Sequence, residues 1–151
     1  MSQIITPTPV EEEVDGLPFR VVPFSAYHAL GLLARLAKAI GPALSSLSGY
    51  DANTDLKDLA PALRVAFAAL DPAEAQVLTL EILKLTSVLL DDGTGKPAPR
   101  VELNTKEKFD RVFSGRLKTL FKVLGFALRV NFSDFIAGSA NAPVAPSLLA
   151  S

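Results

Sequence analysis

The sequence predicts a mainly α protein: a compact bundle of about four helices, with a small β-hairpin at about residues 86–103 and a short N-terminal extended segment. Three observations point there. Apolar residues recur at helical spacing in four separate stretches. Thr86 to Leu90 is β-branched and apolar, and it is followed by a dense run of turn formers and then an alternating segment. Leu17 to Phe24 is rich in Phe and Val and is bracketed by Pro18 and Pro23.

In chain order, residues 1–16 read as a flexible leader, with Pro7 and Pro9 ahead of the acidic run Glu11, Glu12, Glu13 and then Asp15-Gly16. The prolines confine Leu17 to Phe24 to a short edge strand. Ser25 offers an N-cap oxygen to a first helix whose buried face is Ala29, Leu30, Leu33, Leu36, Ala37 and Ile40. His28, Gly31, Arg35 and Lys38 fall opposite. Gly41-Pro42 ends or kinks this helix, and a short turn through Leu47 precedes the loop Ser48-Gly49-Tyr50. A further helix starts at Asp55 or at Pro61 and buries Leu59, Leu63, Ala66, Phe67 and Leu70. Asp71-Pro72, with Glu74 behind it, is an N-terminal cap for a helix burying Leu78, Ile82 and Leu85.

After the hairpin, whose loop is Asp91 to Pro97, Asn104-Thr-Lys-Glu107 reads as a capping box. It opens the longest helical pattern, through Phe109, Phe113, Leu117, Leu120, Leu124 and Leu128. Gly115 loosens it midway, and Asn131, Ser133 and Asp134 mark a break near Phe132. These elements form a single helical domain over 17–137. Residues 138–151 read as a mobile tail.

Composition narrows the function classes. The chain has 151 residues, of which 49 % are hydrophobic and 21 % charged, so it can bury one core and still leave apolar surface for a partner. A net charge of −1 supplies no general attraction to nucleic acid or to an anionic membrane. Without cysteine there is no thiol catalysis and no disulfide or zinc–thiolate site. Met1 to Val10 lacks the basic and apolar regions of a signal peptide, and no apolar run is long enough to span a bilayer.

No stretch carries a catalytic or cofactor motif. His28 is the sole histidine and lies on a polar helix face, where a plain surface role is the simpler reading. Asp91-Asp92-Gly93-Thr94-Gly95 has glycines where a calcium loop needs oxygen ligands. Gly93-Thr94-Gly95-Lys96 is followed by Pro97, so no helix opens to cradle a phosphate. No metal or cofactor is expected, and no catalytic residue is assigned.

The long C-terminal helix does carry a surface feature. At about 100° per residue, Arg111, Lys118, Lys122 and Arg129 fall in a stripe roughly 40° wide, with Phe126 beside it. As a binding strip it suits an acidic, apolar helix, Phe126 being the anchor and the cations setting register. Phe132 and Phe135 would extend that surface, or simply close the core. A solvated face is the alternative for the cations. No series of stacking aromatics accompanies them, so nucleic acid is not the expected partner.

The stretch from Phe113 to Phe135, with Gly115-Arg-Leu117, Phe126-Ala-Leu128 and Val130-Asn-Phe132, resembles the C-terminal signature of tail assembly chaperones of long-tailed bacteriophages. Pro18-Phe-Arg-Val-Val-Pro-Phe24, the Leu/Ala helix ending Ile40-Gly-Pro-Ala-Leu44, and the segment Thr86 to Leu103 extend the likeness over about residues 17–137. The resemblance implies a non-enzymatic protein of the host cytoplasm, absent from the mature virion. Its partner would be the tape-measure protein, held soluble until the tail tube polymerises around it, with the tail-tube protein as a second candidate partner. Self-association along a long client is compatible with this role, although no heptad seam sets a number. A structural tail component and a small phage protein binding a host protein are the alternatives.

Overall fold

The computed structural model describes residues 8–46, 56–90 and 99–140, with side chains described over 8–41, 58–90 and 99–132. Within those residues the chain runs β1 (Val10–Val14), β2 (Leu17–Val21), α1 (Ala26–Ser46), α2 (Leu56–Ala68), α3 (Pro72–Ile82), β3 (Thr86–Leu89), β4 (Arg100–Glu102), α4 (Lys106–Phe113) and α5 (Leu117–Ala140). The architecture is mixed α/β. A four-stranded antiparallel sheet, in the order β1-β2-β3-β4, replaces the single flanking hairpin that the sequence predicts.

The leader reading therefore fails from Val10 onward. Asp15 (φ 50°) and Gly16 (φ 83°) form a two-residue turn between the Val14–Leu17 pair, with both central residues at positive φ as a type I′ hairpin needs. β2 is an inner strand, paired on both sides. Its ladder with β3 spans only Phe19 to Val21, so Pro18 and its missing N–H stand just outside that ladder. The hairpin at 86–103 forms as predicted through Ser87–Glu102, Val88–Val101 and Leu89–Arg100, while its loop at Asp91 to Pro97 lies outside the described residues.

The register divides the sheet into two faces. Val14, Phe19, Val21, Val88 and Val101 point into the core, where the Phe19 and Phe113 rings stack 6.1 Å apart. On the other face Arg20 and Arg100 reach the Glu11 carboxylate at 2.8 and 3.3 Å, and Arg100 also bonds Ser87 Oγ. Glu12 lies on the core-facing side at the sheet edge, which brings it against α5.

The helices cover the core-facing side. α1 is kinked at Ile40 (φ −127°, ψ 29°), immediately before Gly41-Pro42, and continues to Ser46. Its buried residues are Leu32, Leu36 and Ile40, whereas Leu30 is exposed, a turn of the face relative to the predicted stripe. The polar side of α1 is not left wholly to solvent: His28 and Arg35 face Glu81 and Glu74 of α3 at 3.6 and 3.5 Å. α2 runs through Pro61 from Leu56, and α3 is capped by Asp71, whose side chain accepts from the Ala73 N–H. Leu85, expected in the core, is exposed beyond the end of α3. The cap of α4 is Thr105 rather than Asn104, with Oγ1 accepting from the Lys108 N–H.

The long C-terminal helix is two helices. Gly115 takes φ +76°, a conformation that a helix interior excludes, and Ser114 to Arg116 turn the chain between α4 and α5. α5 bends again at Phe132 (φ −129°, ψ 20°), where the sequence predicts a break, and runs to Ala140, past the predicted domain end at 137. Just before that bend, Asn131 Oδ1 accepts from the Phe24 N–H at 2.8 Å and pins the junction between β2 and α1 to α5. α5 is the central helix of the fold. Val123 to Leu128 are all buried because the sheet, α2 and α3 surround it. Gly125 permits the closest approach, since a Cβ there would stand 2.9 Å from Leu59 Cδ2 on α2. The readings at Leu47–Tyr50, Asp55 and 141–151 fall outside the described residues.

Candidate docking groove

The turn at Gly115 has a consequence at the surface. Because α4 leaves the axis of α5, the first two turns of α5 lie open between α4 on one side and α2 on the other. Leu117 and Phe121, one turn apart, present apolar area there, and Lys118 and Lys122 repeat the spacing beside them.

The opening is a groove with two adjacent chambers. The first, about 510 Å³, has buried Phe67 and Leu120 at its floor and Leu80, Phe109 and Phe121 along its walls. The second, about 760 Å³, lies between Ala60 and Pro61 of α2 and Leu117, Lys118 and Lys122 of α5. Arg64 and Phe121 line both. The Phe121 ring meets Phe67 edge-on, with centroids 6.3 Å apart and planes at 72°. Leu117 is 64 % exposed, a large side chain for open solvent at the mouth of an apolar groove. The rim holds Arg64, Lys106, Lys118 and Lys122 against two carboxylates, Asp58 and Asp110.

The predicted stripe is split by this arrangement. Arg111 belongs to α4 and is exposed there, apart from the other cations. Lys118 stands at the groove rim. Lys122 also lines the groove, but its Nζ donates to Asp15 Oδ1 at 2.7 Å. Arg129 Nη2 donates to Glu12 Oε2 at 2.6 Å, and its guanidinium lies 5.9 Å from the centre of the Phe126 ring. Phe126 is 1 % exposed and Phe132 is buried, so neither is a surface anchor. A helical wheel with one buried arc places Phe126 outside the core, but α5 has neighbours on several sides and its buried arc is wider. The Phe135 side chain lies outside the described residues.

Two acids of the β1–β2 hairpin thus occupy two of the three α5 cations. Thr119, buried on α5, adds a hydrogen bond from Oγ1 to Asp15 Oδ2 at 2.6 Å. The Lys122 hydrogen bond, and then that of Thr119, hold the Asp15 carboxyl below its ordinary value, against the opposing pull of partial burial. The α5 aromatic of the site is Phe121 and not Phe126, and its other walls, with Phe67 and Phe109, come from α2, α3 and α4. Leu117, Lys118, Phe121 and Lys122 share a visible i, i+4 pattern. Arg64, Phe67, Lys106 and Phe109 join them only through tertiary packing.

Residues 15–142 match the family model described as phage tail assembly chaperone protein, TAC. The chain belongs to that family. The match begins at Asp15, so it takes in strands β2 to β4 and all four helices that line the groove, while β1 lies outside it. No curated protein and no solved structure matches the chain. Among the described residues no cluster of three or more His, Asp or Glu side chains is placed to hold a metal ion, and no helix is long and apolar enough to cross a membrane.

Proposed function

We propose that this chaperone binds the tape-measure protein in the host cytoplasm, keeps it soluble until the tail tube polymerises around it, and is left out of the finished virion. It acts by binding and not by catalysis. One observation carries the reading: an apolar groove stands open beside α5, within the residues that match the family. A client that is apolar and helical needs apolar area to share, and a holding protein needs to offer it without demanding exact side chains. Leu117, Phe121 and Lys118 present that area and its charge. Several copies could then lie along one long client.

The test is co-expression with the tape-measure gene of the same genome, followed by solubility and size-exclusion analysis. The expected result is a client that is soluble only with this chain and elutes with it. A client that precipitates equally in both cases would overturn the proposal.

A further inference from the structure

The chambers of the groove are offset along α2. The second is walled by residues around Pro61, the first by residues around Phe67, a step of about 9 Å at 1.5 Å per residue. Phe121 and Arg64 stand at their junction. An occupant filling both chambers must therefore present two bulky apolar groups one to two helical turns apart, straddling Phe121.

The walls are side chains of four helices, and among the described residues no strand lines the groove. An extended peptide laid there would bury backbone N–H and C=O groups without partners. A helix brings its backbone bonds with it.

The rim fixes the charge of the flanks. Arg64, Lys106 and Lys118 are exposed and make no hydrogen bond or ion pair among the described residues, unlike Lys122. These three cations outnumber the two rim carboxylates, Asp58 and Asp110, on a chain whose net charge is −1, although Lys118 also acts at a distance on Asp15. The hairpin supplies an internal precedent, because Asp15 and Glu12 already place carboxylates on the neighbouring cations of α5.

Resting on the client-binding reading above, we infer that the groove takes an amphipathic α-helix of the partner. Its apolar face carries two anchors, one for each chamber, and its flanks carry carboxylates for Arg64, Lys106 and Lys118. Positioned cations around an apolar floor select for sign and register, while the chambers accept any bulky apolar anchor.

The probe is a fluorescein-labelled designed helix of about 18 residues, long enough to hold helical structure, with two leucines two turns apart and glutamates on both flanks. Its anisotropy is titrated with the full chain. Replacing the glutamates by lysine, or either leucine by alanine, should weaken binding about tenfold or more. The variant R64E/K106E should reverse the preference and bind the lysine peptide better than the glutamate one. Both positions are exposed, and K106E puts a carboxylate in the first turn of α4, where the helix dipole favours it, so the variant should keep the wild-type far-UV spectrum.

Equal binding of the two peptides, or an unchanged preference in the variant, would overturn the inference. So would a change in sedimentation mass with peptide affinity unaltered, since a second copy would then be the occupant. Co-expression with the tape measure separates the two levels. If R64E/K106E keeps the client as soluble as the wild type does, the groove assignment fails and the chaperone reading stands. If the wild-type chain cannot keep the client soluble, the chaperone reading fails, and the peptide preference alone decides what the groove binds.

Discussion

Asp15 gives the sharpest perturbation of the link between the hairpin and α5. Asp15→Asn keeps the size of the side chain and tolerates the positive φ of the turn, so it removes the charge and little else. The carboxylate accepts from Lys122 Nζ at 2.7 Å and from Thr119 Oγ1 at 2.6 Å. Its side chain is 37 % exposed, so the ion pair is screened and is worth about 0.5–1 kcal/mol. Exchanging a carboxylate for an amide oxygen under the buried Thr119 hydroxyl costs about another 0.5 kcal/mol. A loss of about 1–1.5 kcal/mol in a chain of this size lowers the melting temperature by roughly 3–5 °C.

The pH dependence of that loss follows from the direction of the Asp15 shift. The folded-state pKa is held below the ordinary 3.8 by Lys122 and Thr119. The stabilisation is therefore complete at pH values above the unfolded pKa and disappears as the pH falls through the folded one. Thermal unfolding followed by far-UV circular dichroism at low salt should separate wild type and D15N at neutral pH. The curves should converge on strong acidification, and the gap should narrow in high salt. Equal melting temperatures at neutral pH and low salt would show that the latch contributes nothing. A gap that persists undiminished in acid would show that charge is not its cause.

Substitutions at three further positions test the architecture and the site. Leu117→Ser removes apolar area that is already mostly in water, so stability should change by less than about 0.5 kcal/mol, while co-elution with the tape measure in size exclusion should fall. Gly125→Leu forces a side chain into Leu59 and Leu63, should cost about 2–3 kcal/mol, and should lower the urea midpoint; an unchanged midpoint would contradict the close approach of α2 to α5. Gly115→Ala has open space for its Cβ and is penalised only by the backbone, by about 1–2 kcal/mol. Gly115→Asn should cost less, and unfolding titrations of the pair separate conformational strain from contact.

Much of the helical framework is legible from periodicity and caps, and the misses have physical causes. The Asp71-Pro72 cap, the kink before Gly41-Pro42, the bend at Phe132 and the 86–103 hairpin each rest on local chemistry that tertiary contacts do not overrule. β1 was illegible as a strand because its core-facing positions are Val10, Glu12 and Val14, and the central one is a carboxylate. That placement makes sense only once Arg129 is known to meet it. The Asp15-Gly16 dipeptide between two apolar residues was the available signal for a hairpin. On α5, spacing gives angles about one axis but says nothing of how many neighbours share that axis. Phe126 and Leu117 consequently exchange the roles that a single-faced helix would give them. Gly115 is ambiguous for a similar reason: a glycine inside a helix costs about 1 kcal/mol, too little to decide between a loosened helix and a full turn.

The split of the basic stripe also constrains how a partner can be recognised. A partner carboxylate aimed at Lys122 would have to share the ammonium with Asp15 or displace it, so that cation would contribute less net affinity than one without an ion pair. Arg129 is held in the same way by Glu12 at the sheet edge. On the proposed reading, discrimination would fall to Lys118, Arg64 and Lys106, which surround the two chambers and not the buried half of α5. Reversing Lys118 and Lys122 together would therefore confound binding with stability, because only Lys118 is free of the hairpin's ion pairs. Asp15 in the hairpin turn thus occupies Lys122 at the edge of the groove, and Glu12 of β1 occupies Arg129 away from it, which leaves Lys118 as the α5 cation without an ion pair to the hairpin.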